Sequence, residues 1–97
     1  ITPENPRSES LTEQQNAARH DEFLSIITTE HLAYLTGYGC DDEELWGREA
    51  SYLLFLNEKE FADNLANQFG QNGYLLTRQN EPVKLLLNKE GSYIECI

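Results

Sequence analysis

Residues 50–72 read ASYLLFLNEKEFADNLANQFGQN, and this stretch decides the fold. Ala50 to Leu56 form a dense apolar run, the pattern of a central β-strand. The period then changes. Asn57 is a good N-cap with Glu60 placed to complete the cap, and Leu56 and Phe61 are spaced for a hydrophobic staple around it. Phe61, Leu65 and Phe69 lie four apart, flanked by Ala62 and Ala66, which makes one buried helical face. Gly70 stops the helix because it accepts positive φ without a Cβ penalty.

Working toward the N-terminus, Tyr34, Leu35 and Tyr38 mark a strand over residues 33–39. Before it, Ala17, Phe23, Leu24 and Ile27 repeat at helical spacing and predict a helix ending near Thr29. Ser10 with Glu13 reads as its capping box, and Thr12 with Gln15 is a second register of the same device. Pro3 and Pro6 keep residues 1–10 extended. Toward the C-terminus, residues 74–78, 83–87 and 92–96 read as a β-meander, with turns at Asn80–Pro82 and Asn88–Gly91. The expected fold is a single α+β domain over residues 1–97. Two helices pack on one face of a mostly antiparallel sheet of about four to five strands. The expected core is Phe23, Leu24, Ile27, Leu53, Phe55, Phe61, Leu65, Phe69, Leu75 and Leu85 or its neighbours. A chain of this size buries roughly 60–65% of its unfolded surface, enough for one core.

Charge bounds the partners. Seventeen Asp and Glu against seven Lys and Arg give a net charge of −10. Such a surface repels phosphate backbones and anionic lipid, so direct nucleic-acid binding and membrane attachment are disfavoured. No stretch approaches the apolar length of a membrane span. Cys40 and Cys96 lack metal-site spacing and read as free thiols of a cytoplasmic protein.

Polar residues at element junctions form the candidate site: Asn5, Arg7, Trp46, Glu49, Gln71 and Asn72. Arg7 and Glu49 can make a charge-assisted pair, and the amides can orient a small ligand. Amides at junctions more often bond loop backbone, and that structural role is the commoner one. Glu49 near Trp46 is the one carboxylate placed for partial burial, which would fit a general acid, but binding main-chain N–H groups is the plainer role. No catalytic residue is identified. Ser8, Ser51, Cys40 and His20 lack a GxSxG-type context, and His20 reads as a packed histidine on the apolar side of the first helix. His31 sits where a cation suits the end of that helix. No cofactor is implied, and no metal site: the acidic run Asp41–Glu44 lacks the spacing of a calcium loop.

Thr2-x-x-Asn5-Pro6, Asn16, Gly39, Trp46, Glu49, Ser51 and Phe69-Gly70-Gln71-Asn72 occur in an order that resembles the bacterial DUF3293 family, small proteins without an assigned function. The resemblance runs from Thr2 to about Leu87. It implies that these polar motifs belong to one fold and implies no activity. Family members usually have further chain before the Thr-x-x-Asn-Pro segment; if that segment supplies a strand, the resemblance leaves two alternatives for this sequence, a fragment or a shortened member.

Two functional classes follow. The favoured one is a non-enzymatic protein-binding or regulatory module whose partner has a basic surface. In its sharper form the module is an acidic decoy for a nucleic-acid-binding site, with Glu4, Glu9, Glu13, Asp21 and Glu22 in one stripe and Asp41–Glu44, Glu58, Glu60 and Asp63 in another. The other class is a small-ligand binder or enzyme using Arg7, Glu49, Gln71 and Asn72.

Overall fold

The computed structural model describes residues 1–39 and 49–96. Their order is a short helical turn at Pro6–Ser8, then α1 (Glu13–Thr29), β1 (Tyr34–Gly39), β2 (Glu49–Leu54), α2 (Lys59–Gln68), β3 (Gly73–Leu76), β4 (Lys84–Lys89) and β5 (Ser92–Cys96). The class is α+β, with every strand pair among the described residues antiparallel. The described strands fall into two sheets, β1-β2 and β3-β4-β5, rather than one. Cys40, the acidic run Asp41–Glu44 and Trp46 lie outside the described residues.

Helix α1 starts in the second of its two capping registers. The Thr12 hydroxyl accepts from the Gln15 N–H, and the Gln15 side chain accepts from the Thr12 N–H. Both helices end in the same motif. After α1, Leu32 N–H reaches Ile27 O and His31 N–H reaches Thr28 O, with His31 in the left-handed region at φ 55°. After α2, Gln71 N–H reaches Ala66 O and Gly70 N–H reaches Asn67 O, with Gly70 at φ 67°. A Cβ on Gly70 would stand 2.9 Å from the Pro6 Cβ, so this position needs glycine for its dihedrals and for the close approach.

Asn57 is not the cap of α2. The chain bends at Asn57, Glu58 is extended (φ −129°, ψ 127°), and the helix begins at Lys59 with no side-chain cap. Leu56 packs against one part of the core and Phe61 against another, which fixes the entry of the helix. The Lys59 ammonium then bonds the Asp63 carboxylate at 2.7 Å and the Tyr93 carbonyl at 3.1 Å.

The core has two parts, both lined by α2. Phe23, Ile27, Tyr52, Leu65 and Phe69 form the first, with Phe23 stacked on Tyr52 at 4.7 Å and edge-on to Phe69 at 5.2 Å. Ala62, Ala66, Tyr74, Leu86 and Tyr93 form the second. Phe23, Ile27, Leu65 and Phe69 are buried as expected, and Leu24 and Phe61 pack at the core margin. Leu53, Phe55 and Leu75 are instead exposed, between 47% and 67%, and of Leu85 and its neighbours it is Leu86 that is buried. Their neighbours Tyr52, Tyr74 and Leu86 point inward. A strand has a side-chain period of two, so choosing the wrong parity moves a whole set to the other face.

The inward parity is fixed by hydroxyls. Tyr74 donates to the Asp63 carboxylate and Tyr93 to the Gln71 carbonyl. Burial and the neighbouring carboxylate push the Tyr74 hydroxyl well above the ordinary tyrosine range. Leu86→Ala is therefore expected to lower unfolding free energy by about 2–5 kcal/mol, and Leu85→Ala by less than half as much, in urea denaturation. Thr12→Ala is expected to cost about 1 kcal/mol, whereas Asn57→Ala stays within about 0.5 kcal/mol. A larger loss at Asn57 than at Thr12 would contradict the observed helix start.

Candidate functional site

Residues 1–9 cross the open edge of β2 and then the end of α2, and their polar groups build the site. Ile1 and Tyr52 exchange both backbone hydrogen bonds, at 3.0 and 2.7 Å. The Thr2 hydroxyl donates to the Ala50 carbonyl at 2.7 Å and accepts from the Glu4 N–H at 3.1 Å. Pro3 is fully buried. From Glu4 onward the segment has no strand to pair with, so side chains take over the bonding.

The first group is Glu4, His20 and Tyr52. Glu4 Oε2 accepts from the Ala50 N–H at 3.1 Å and lies 2.7 Å from His20 Nε2. The carboxylate thereby assigns the proton to Nε2, leaving Nδ1 to accept from the Tyr52 hydroxyl at 2.8 Å. An acid, an imidazole and a hydroxyl in series resemble a nucleophile relay. The electrostatics run the other way. Desolvation, and then the charges around Tyr52 that include Glu4 and Asp21, push its hydroxyl up, so it is held protonated. His20 is packed on the inner side of α1, its ring tilted against Tyr52 at 5.6 Å.

The second group is Asn5, Asn16 and Glu49. Asn5 is left-handed, at φ 47°. Its N–H donates to Asn16 Oδ1 at 3.1 Å, and its own Oδ1 accepts from Asn16 Nδ2 at 3.1 Å and the Leu11 N–H at 2.9 Å. Its Nδ2 reaches Glu49 Oε2 at 3.4 Å.

The third group ties this segment to the end of α2. Arg19 donates from Nε to the Pro3 carbonyl and from Nη2 to the Phe69 carbonyl, with its guanidinium 5.4 Å from the Phe69 ring centre. Gln71 Nε2 donates to the Glu4 carbonyl at 2.9 Å and the Phe69 carbonyl at 3.2 Å. The Arg7 N–H donates to the Gly70 carbonyl at 2.7 Å.

The structure thus brings Asn5, Glu49 and Gln71 into one continuous network. Arg7 joins it through the backbone alone. Its side chain is exposed on a shallow depression of about 290 Å³ beside Glu9, Arg19 and Gln68, and no ion pair links it to Glu49. Asn72 lies at the start of β3, where its carbonyl accepts from the Asn88 N–H at 2.7 Å. Trp46 lies outside the described residues. Arg19 and the Glu4–His20 pair are not among the site residues that the sequence suggests. Their signal is positional: Asn16, Arg19 and His20 share a helical face with Phe23 and Ile27, and polar groups on a buried face need partners. No group of three potential metal ligands occurs among the described residues.

A model of the family described as "Protein of unknown function (DUF3293)" matches residues 1–73. The chain belongs to the DUF3293 family. The match contains the whole network around Asn5 and Gln71 and stops at the start of β3, short of the Leu87 limit expected from the motifs. No curated protein and no solved structure matches the chain. No helix among the described residues is long and apolar enough to cross a membrane.

If Asn5 and Asn16 act as one reciprocal pair, their losses are not additive. A double-mutant cycle of Asn5→Ala and Asn16→Ala is expected to show a coupling of about 0.5–3 kcal/mol in thermal or urea unfolding. Additive losses would mean that the two side chains act independently.

Proposed function

We propose that this DUF3293 member is a non-enzymatic protein-binding or regulatory module of the bacterial cytoplasm, whose partner carries a basic surface around an apolar centre. One observation carries the reading: the sheet faces turned away from the helices are apolar and open. Leu35 and Leu53 stand opposite one another on the outer face of β1-β2, exposed at 58% and 47%. Leu75, Leu85, Leu87 and Ile94 occupy the outer face of β3-β4-β5. Apolar area of this kind marks interaction surfaces more often than solvent-facing ones.

Charge supplies the second half of the reading. At −10 the surface favours a cationic partner. Glu13, Asp21 and Glu22 are exposed on α1 and are the carboxylates best placed to imitate phosphates in the decoy form of this proposal. Glu4 leaves that stripe because its carboxylate bonds inward to His20 and Ala50. The alternative, a ligand pocket at Arg7, Glu49, Gln71 and Asn72, has less support, since the amides of Asn5 and Gln71 are already bonded within the fold.

The test is capture from a host extract by the immobilised chain, at low and high salt, with a Glu13→Lys, Asp21→Lys, Glu22→Lys variant alongside. The expected outcome is a protein retained at low salt, released as salt rises and lost by the variant at unchanged melting temperature. Capture of nothing at low salt, or capture indifferent to salt and to charge reversal, rejects the proposal.

A further inference from the structure

The two sheets present their unpaired edges to the same cleft. Phe55 N–H bonds the Ala33 carbonyl, so residues 51, 53 and 55 turn their main chain toward β1. Ala50, Tyr52 and Leu54 therefore turn theirs toward the other edge. Ile1 fills that edge opposite Tyr52, and no described segment continues the ladder opposite Leu54. In the other sheet, Asn88 N–H bonds the Asn72 carbonyl, which directs residues 72, 74 and 76 toward β4. Gly73 and Leu75 then face away from β4, where no described strand pairs with them. One cleft of about 1080 Å³ is lined by both edges, through Leu54 of β2 and Leu75 and Leu76 of β3, with Ile1, Leu56 and Val83, and it extends over residues 35–38 of β1.

Ile1 marks the register. It pairs with β2, and its side chain packs against both parts of the core, so it sits on the seam between the sheets. We infer that the cleft is a slot for one β-strand, filled by an extended apolar segment covalently continuous with the N-terminal side of Ile1. The strand runs antiparallel to β2 and joins the two sheets into one of order β1-β2-slot-β3-β4-β5. A segment two residues upstream of Ile1 meets the N–H and C=O of Leu54 on one side, and its opposite edge meets those of Gly73 and Leu75. Its inward side chains follow Ile1 toward α2, and its outward ones lie between the exposed Leu53 and Leu75. Both faces are therefore apolar, as in a central strand. Continuity with the Ile1–Tyr52 pairing is what selects this occupant over a strand from a second copy or another protein.

The test adds a short extension of alternating valine and threonine before Ile1 and follows amide hydrogen exchange by NMR. A matched extension with proline at the bonding positions is the control. The valine–threonine chain is expected to slow exchange at Leu54 and at Leu75 by about tenfold or more, and the proline chain at neither. Protection at Leu54 without Leu75 overturns the bridging strand. Unchanged exchange at both overturns the slot. Protection of both by a free peptide of the same sequence, but not by the fused one, overturns the covalent route. Protection already present in the unextended chain as a dimer assigns the slot to a second copy and overturns the proposal.

Discussion

Three main-chain carbonyls, those of Pro3, Glu4 and Phe69, fall where neither a strand nor a helix supplies a donor, and the fold depends on the two side chains that reach them. Arg19 takes Pro3 and Phe69, and Gln71 takes Glu4 and Phe69. An unmet buried carbonyl loses the whole desolvation free energy of that group, about 1–3 kcal/mol, so these bonds are obligatory. They also explain why residues 1–9 lie against α2 at all. The segment crosses directly over Gly70, where the absence of a Cβ lets Pro6 approach. Glycine at 70, an amide at 71 and a guanidinium at 19 are three parts of one requirement.

The order of helices and strands was legible because it depends on local pattern. The α1 stripe, the Gly70 stop and the hairpin turn at Glu90-Gly91, where both residues take positive φ, each have a local cause. The strand faces were not legible. In Leu85-Leu86-Leu87 and in Tyr52-Leu53-Leu54-Phe55 both faces are apolar, so alternation gives no parity. What sets the parity is the set of hydroxyl partners, His20 for Tyr52, Asp63 for Tyr74 and the Gln71 carbonyl for Tyr93, which are 32, 11 and 22 residues away in the chain. A reading that ranks leucine and phenylalanine above tyrosine as core places the less polar neighbour inside and inverts the sheet.

The same asymmetry governs the polar motifs. Asn5 and Gln71 stand out in the sequence as amides at junctions, and they do meet in space. Their partners are mostly backbone groups and residues on the inner face of α1. Arg19 looks like an ordinary surface residue until that face is known to be buried, and His20, which reads as a packed histidine, finds its partners Glu4 and Tyr52 only there. The helix is only weakly two-sided in hydropathy for this reason: part of its inward face is polar and satisfied.

This arrangement constrains what the family can do with these residues. The Gln71 NH2 group already bonds two carbonyls and has no donor left for a ligand, and freeing it would expose the same carbonyls it covers. A binding event at Gln71 or Arg19 would therefore have to loosen residues 1–9 from α2, and with them the Ile1–Tyr52 pairing at the sheet edge. The outer sheet faces carry no such penalty. Their leucines are exposed, and covering them leaves every internal hydrogen bond in place, which is the physical reason to look for a partner there rather than among the amides.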